Sequence, residues 1–183
     1  PAFIFPTLMI EDNIISSEFK EDKVFVAGNW HTTYRGFDAW VIGQEFELPM
    51  IGFKSGKFKK GEETNGIDYL PWMNWSDFMF ELSKCKYGVQ CYQASAGQFP
   101  LNCAYLGIPC IGLKELESQR LCFPDLSIGD VDLKKGKELI IKLKEDQDFY
   151  NHCSKTAQEN YTKHFAADKF YNTVHNIYKK YKK

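Results

Sequence analysis

Short, unbroken apolar runs recur along the chain: VFVAG (Val24–Gly28), LPMIGF (Leu48–Phe53), IDYL (Ile67–Leu70), GVQCY (Gly88–Tyr92) and PCIGL (Pro109–Leu113), with a shorter one at Leu126–Ile128. Runs of this length with little polar alternation suit strands buried on both faces. Helical patterns lie between them, around Phe37–Ile42, at Ser76–Cys85 with Ser76 or Asn74 as cap, at Gln98–Gly107 and near Glu115–Leu121. Strand and helix in alternation predict an α/β fold, a Rossmann-like three-layer domain whose parallel sheet has right-handed crossovers and helices on both faces. Lys54–Gly66 (KSGKFKKGEETNG) interrupts the rhythm with glycines and mixed charge, and reads as a solvated loop.

Past Ile128 the chain reads as helical to its end. Asp132 can cap a helix with Leu133, Leu139, Ile140 and Leu143 on one face. Asp146 or Asp148 can cap the next, with Phe149, Cys153, Ala157, Tyr161 and His164 on its buried side. A last helix, about Ala167 to Lys182, gathers Phe170, Val174, Ile177, Tyr178 and Tyr181 into one stripe that requires a partner surface. The lysine-rich end suits a helix C-terminus.

At 183 residues the chain is one large domain, or a domain with an appendage, and can bury a real core. Lys+Arg 23 against Asp+Glu 24 leaves a net charge of -1, which argues against nucleic acid as partner. The six cysteines form no C-x-x-C pair and sit mostly in apolar runs, so they read as reduced core residues of a cytoplasmic chain. No segment approaches the ~18 apolar residues of a membrane span. The first residue is Pro, so the expectation is a processed product or a piece of something longer.

Ligands of open parallel sheets bind at the carboxyl ends of strands, which directs attention to three strand-to-helix loops. GNWHTTYRG (Gly28–Gly36) offers Arg35 as a bidentate clamp for a diphosphate with Asn29 assisting, or else an ordinary polar loop whose Arg meets a carboxylate. YLPWMNWSD (Tyr69–Asp77) presents Trp72 and Trp75 around a Pro-stiffened turn, as stacking surfaces for a nucleobase or as core. In YQASAGQFPLN, Ser95 can cap a helix, Ala96 and Gly97 leave the backbone open, and the N–H groups through Gln98 can meet an anion, with Asn102 one turn further on. The competing reading is a plain helix start. The four histidines lack metal-ligand spacing, and no P-loop, G-x-G-x-x-G or G-x-S-x-G occurs.

GQFPLNCAYLGIPCIG resembles the G-x-x-L-P-x-x-E-A-M-A-x-G-x-P-V-I block of the C-terminal, donor-binding half of GT-B glycosyltransferases of the retaining group-1 type, with Gly107, Pro109 and Ile111 in place. GNWHTTYRG is similar to that family's G-R-x(5)-K-G segment, Arg35-Gly36 standing for Lys-Gly, and YLPW to the loop beside the nucleobase. The resemblance implies a nucleotide diphosphate sugar as co-substrate, no cofactor and no metal. It places the nucleotide on Gly28, Asn29, Arg35, Ser95, Ala96, Gly97, Gln98 and Asn102, with Leu70 and Trp72 at the base. The family's Glu-x7-Glu pair falls on Ala94 and Asn102, and its first-loop Arg on Asn29.

It further implies that residues 1–12 are an interdomain connection, 13–165 the nucleotide-binding domain, and 166–183 a helix that packs on a missing acceptor domain or, as a homodimer contact, on a second copy. The expected function is the donor-binding domain of a glycosyltransferase whose acceptor is unspecified. The alternatives are a non-catalytic GT-B-like module for nucleotide binding or protein interaction, and an unrelated doubly wound domain with a phosphate ligand.

Overall fold

The computed structural model describes residues 7–31, 33–53, 56–92, 97–129 and 132–182. Among these, six strands form one parallel sheet in the order β3-β2-β1-β4-β5-β6: β1 Glu21–Ala27, β2 Met50–Phe53, β3 Ile67–Leu70, β4 Cys85–Gln90, β5 Cys110–Leu113 and β6 Ser127–Ile128. The helices are α1 Gly36–Gln44, α2 Trp75–Ser83, α3 Gln98–Tyr105, α4 Glu117–Cys122, α5 Leu133–Glu145, α6 Gln147–His164 and α7 Ala167–Tyr181. The α/β, Rossmann-like expectation holds, C-terminal helix included.

Strand order follows from the handedness of the crossovers. The chain steps outward from β1 to β2 and β3, then returns past β1 to lay down β4, with Phe25 beside Gly88 and Val26 beside Val89. Because β1 and β4 are neighbours whose connections leave in opposite directions, a crevice opens at their carboxyl ends. The sheet centre is dry: Val24, Phe25, Val26, Tyr87, Val89, Ile111 and Leu113 are all buried. Truncating such a side chain to Ala costs about 2–5 kcal/mol.

Local signals explain the helix ends. Asn74 caps α2, its side chain accepting from Asp77 N at 2.9 Å. Asp132 caps α5 and Asp146, rather than Asp148, caps α6. α2 stops at Ser83, short of the expected Cys85, because Cys85 already pairs with Glu21 as the first residue of β4. α3 tolerates Pro100 in its first turn, where N–H groups lack intrahelical acceptors. It closes in a Schellman motif, Ile108 N donating to Cys103 O at 2.8 Å and Gly107 N to Ala104 O at 3.1 Å.

Three expectations are corrected. Leu133 is exposed, since α5 buries Leu139, Ile140 and Leu143 with Gly136 completing the face. On α6, Tyr150 is the buried aromatic, while Phe149 is half-buried under the Lys142 ammonium at 3.8 Å from its ring. The Lys54–Gly66 stretch is not simply a solvated loop: where described, it carries a 3-10 turn, Glu62–Thr64, whose Glu62 is buried.

Residues 9–17 pack along the domain. Met9 is buried, Trp75 Nε1 donates to Ile10 O at 3.1 Å, and Glu11 Oε1 accepts from Tyr161 Oη at 2.6 Å and from Ala167 N at 3.1 Å. Glu11 thereby satisfies the first amide of α7, whose N-cap Ala166 offers no side-chain acceptor. No residue of α7 is buried: Phe170 and Ile177 are half-buried, and Val174, Tyr178 and Tyr181 are exposed. Among the described residues no helix is long and apolar enough to cross a membrane.

Candidate functional site

The crevice begins where β1 ends. The β1–α1 loop leaves at Gly28 and folds back tightly, Gly36 N donating to Asn29 O at 2.9 Å and Arg35 N to His31 O at 3.0 Å. Gly36 is required by this closure: a Cβ there would collide with the carbonyl oxygens of Gly28 and Asn29. Arg35 adopts a left-handed backbone, φ 47, and its Nε donates to Asp38 Oδ2 at 2.7 Å. The Asn29 side chain accepts from His31 N at 3.2 Å. Trp30 packs against Phe37 and Trp40, with ring centroids 5.0 and 5.1 Å away.

On the β4 side, Cys91 is buried and its thiol is pushed up to about 12, by burial first and by the Asp38 carboxylate second, with Arg35 opposing. The Arg35–Asp38 pair therefore lies near enough to the end of β4 to act on Cys91 electrostatically. Burial likewise pushes the Cys85, Cys122 and Cys153 thiols up to about 12, which leaves these cysteines inert as nucleophiles near neutral pH.

Between the ends of β1 and β2 and helices α2 and α3 lies a cavity of about 540 Å³. Phe25, Phe53, Phe78 and Phe99 line it, and their rings interlock: Phe25 lies 5.7 Å from Phe78 and 5.3 Å from Phe99, and Phe53 lies 6.0 Å from Phe78. Trp72, Trp75 and Tyr92 complete the aromatic wall. Trp72 is 85% exposed and rests on Phe53 with centroids 5.6 Å apart. An aromatic slot of this kind accepts a flat ring.

The polar groups are amides. Gln98 Nε2 donates to Asn102 Oδ1 at 3.2 Å across one turn of α3, and Asn102 is only 2% exposed. That bond engages one atom of each amide, so the pair still offers a Gln98 oxygen acceptor and an Asn102 N–H donor. Asn74, also on the lining, is committed to capping α2. No charged side chain stands among the described residues that line the cavity. The arrangement can hold a neutral ring by stacking and read one donor–acceptor edge.

The structure brings together Gly28, Trp72, Gln98 and Asn102 on the cavity. Gly97 sits beside them as the N-cap of α3, φ 73, in place of the expected Ser95 cap, and its carbonyl accepts from Ser118 Oγ at 2.9 Å. A side chain at Gly97 would run into Ser118. Ser95 and Ala96 lie outside the described residues. Asn29 and Arg35 lie in the loop and Leu70 at the end of β3, none of them on the cavity lining.

Sequence reading passed over Phe25, Phe53, Phe78, Phe99 and Tyr92. Aromatics near the ends of β1 and β2 and near the starts of α2 and α3 were the available signal. It also passed over Gln90, wholly buried near the end of β4, whose two side-chain polar atoms have no hydrogen-bond partner among the described residues. The same holds for Gln119 Oε1, although Gln119 Nε2 reaches Cys110 O at 2.8 Å. Both amides crowd Gly112, where a Cβ would come within 2.6 Å of each.

No protein-family model matches the chain, and no curated protein matches its sequence. In fold it is similar to glycosyltransferases of the GT-B type. A mutant of S. aureus TarM, in complex with fondaparinux, α-GlcNAc-glycerol and UDP, superposes with a TM-score of 0.79 over 96% of this chain at 11% identity. An α-glucosyltransferase in complex with UDP gives 0.71 over 94% at 14% identity, and the N-terminal domain of a Candida albicans trehalose-6-phosphate phosphatase gives 0.64 over 87% at 9%. The chain spans 39% of the TarM chain, 56% of the glucosyltransferase and 42% of the phosphatase domain.

These likenesses define the class of fold: the chain has a Rossmann-like α/β architecture of the kind found in GT-B glycosyltransferases.

Proposed function

We propose that this chain is the donor-binding domain of a glycosyltransferase that moves a sugar from a nucleotide diphosphate sugar to an acceptor held by another domain. The observation that carries the reading is the aromatic cavity at the switch point, which ends on the Gln98–Asn102 amide pair. A nucleobase would stack among the rings near Trp72, and the amides would bind a polar edge of the nucleoside. As the sugar–oxygen bond to the diphosphate breaks, charge grows on the leaving group. Arg35, Asn29 and the N–H groups that open α3 at Gly97 and Gln98 would receive it in place of a metal. The enzyme would work in the cytoplasm, with α7 turned to the acceptor domain or to a second copy.

The test is calorimetric titration of the chain with UDP, GDP and ADP, repeated with Arg35→Ala and Asn102→Leu. Saturable binding of one nucleotide, weakened about tenfold by each substitution, or about 1.4 kcal/mol, supports the reading. Silence with all three in a folded sample overturns it.

A second reading, a non-catalytic GT-B-like module, is favoured by the paired-Glu positions, which carry Ala94 and Asn102, and by the lack of a carboxylate among the described residues that line the cavity. Binding without transfer, once an acceptor domain is supplied, would select it.

A further inference from the structure

Glu62 is wholly buried at 0% exposure, and both its oxygens are taken by backbone amides: Oε1 accepts from Trp30 N at 3.0 Å and Oε2 from Lys59 N at 2.8 Å. One amide belongs to the turn that carries Glu62. The other belongs to the β1–α1 loop, the residue after Asn29. Burying a carboxylate is costly unless hydrogen bonds replace its water, so these two N–H groups matter to its retention.

The surroundings reinforce the link. A Cβ on Gly61 would lie 3.6 Å from the Trp30 ring, and Trp40 Nε1 donates to Asn65 O at 2.8 Å. Asn65 is itself buried, its Oδ1 accepting from Ile67 N at 2.9 Å and its Nδ2 donating to Tyr69 Oη at 2.8 Å. The β2–β3 connection is thus held to the β1–α1 region through Trp30 and Trp40, and its own end is pinned to β3. Lys57, Lys59 and Lys60 stay exposed, so the turn is anchored by its one buried acid and not by its many cations.

We propose that Glu62 is the positioning residue of the β1–α1 loop. By holding the Trp30 amide it sets the path of the backbone from Gly28 to His31, and with it the placement of Asn29 and of the Arg35 that His31 O holds, toward a diphosphate. The functional half of this inference rests on the donor-binding reading above; the structural half does not.

The experiment compares Glu62→Gln with Glu63→Gln, its exposed neighbour, by amide hydrogen exchange on the ligand-free chain and by titration with the nucleotide that binds the wild type. Glutamine keeps one acceptor and turns a donor toward the other amide, so one bond is lost. Expected is about tenfold faster exchange at Trp30 and through the loop to Gly36, unchanged exchange in β1 and β4, and about tenfold weaker nucleotide binding, with Glu63→Gln at wild-type values; tenfold is the effect of about one hydrogen bond.

Unchanged loop exchange in Glu62→Gln overturns the inference. Faster exchange with undiminished nucleotide affinity overturns the positioning role. If the wild type binds no nucleotide, the donor-binding reading falls by itself, and the exchange arm alone decides whether Glu62 holds the loop. Should Glu62→Gln fail to fold, Glu62→Asp, which keeps the charge but draws it back by one methylene, is expected to speed loop exchange, and wild-type exchange there would refute the proposal.

Discussion

Arg35 Nε donates to Asp38 Oδ2 at 2.7 Å, so the one arginine of the β1–α1 loop is paired within its own helix start. An anion arriving at Arg35 must compete with Asp38. Asp38→Asn is therefore expected to tighten diphosphate binding at least about threefold, while α1 loses a favourable acid in its first turn worth about 0.3–1 kcal/mol. Isothermal titration and thermal unfolding of the same sample check both. Weaker binding in Asp38→Asn would mean that Asp38 orients Arg35 for the ligand.

Trp72 lies on the lining of the cavity yet is mostly solvent-exposed. Its packing supports little of the fold, so Trp72→Ala is expected to leave the melting temperature nearly unchanged and to weaken nucleotide binding about tenfold, the cost of one lost stacking surface. A Phe substitution should recover most of the affinity. A large loss of stability in Trp72→Ala would show that the ring serves the core.

Gln90 is wholly buried, and neither of its side-chain polar atoms is bonded among the described residues. Each unmet buried polar group costs about 1–3 kcal/mol, so Gln90→Leu is expected to raise stability by about 1–2 kcal/mol in denaturant titration. A fall in stability would show that the amide is satisfied in solution.

Four buried thiols, Cys85, Cys91, Cys122 and Cys153, are held at about 12, above the ordinary cysteine value of 9.0. The folded state keeps these protons where the unfolded chain releases them. Stability is therefore full below pH 9 and falls between about pH 9 and 12, each thiol contributing up to about 1.4 kcal/mol per pH unit. Denaturant midpoints from pH 8 to 11 measure the slope, and a thiol reagent at pH 8 should label these cysteines only after unfolding. Rapid labelling of the native chain would contradict the burial.

The apolar runs, the cap at Asp132 and the paired candidates Ser76 or Asn74 and Asp146 or Asp148 were legible because each acts within a few residues. Periodicity and capping are local physics, and from them the strand–helix order follows, while the place of β4 beside β1 came only with the fold. The Gly28, Gly97 and Asn102 neighbourhood could be placed for the same reason, since strand ends carry the site in this architecture. What the linear order could not contain was which side chains converge: rings from β1, β2, α2 and α3 meet only after the right-handed crossovers stack the layers. The burial of Glu62 against the Trp30 amide and the bond from Ser118 to the Gly97 carbonyl were settled by tertiary packing, because a buried polar group chooses its partner by distance in space and by the water it loses.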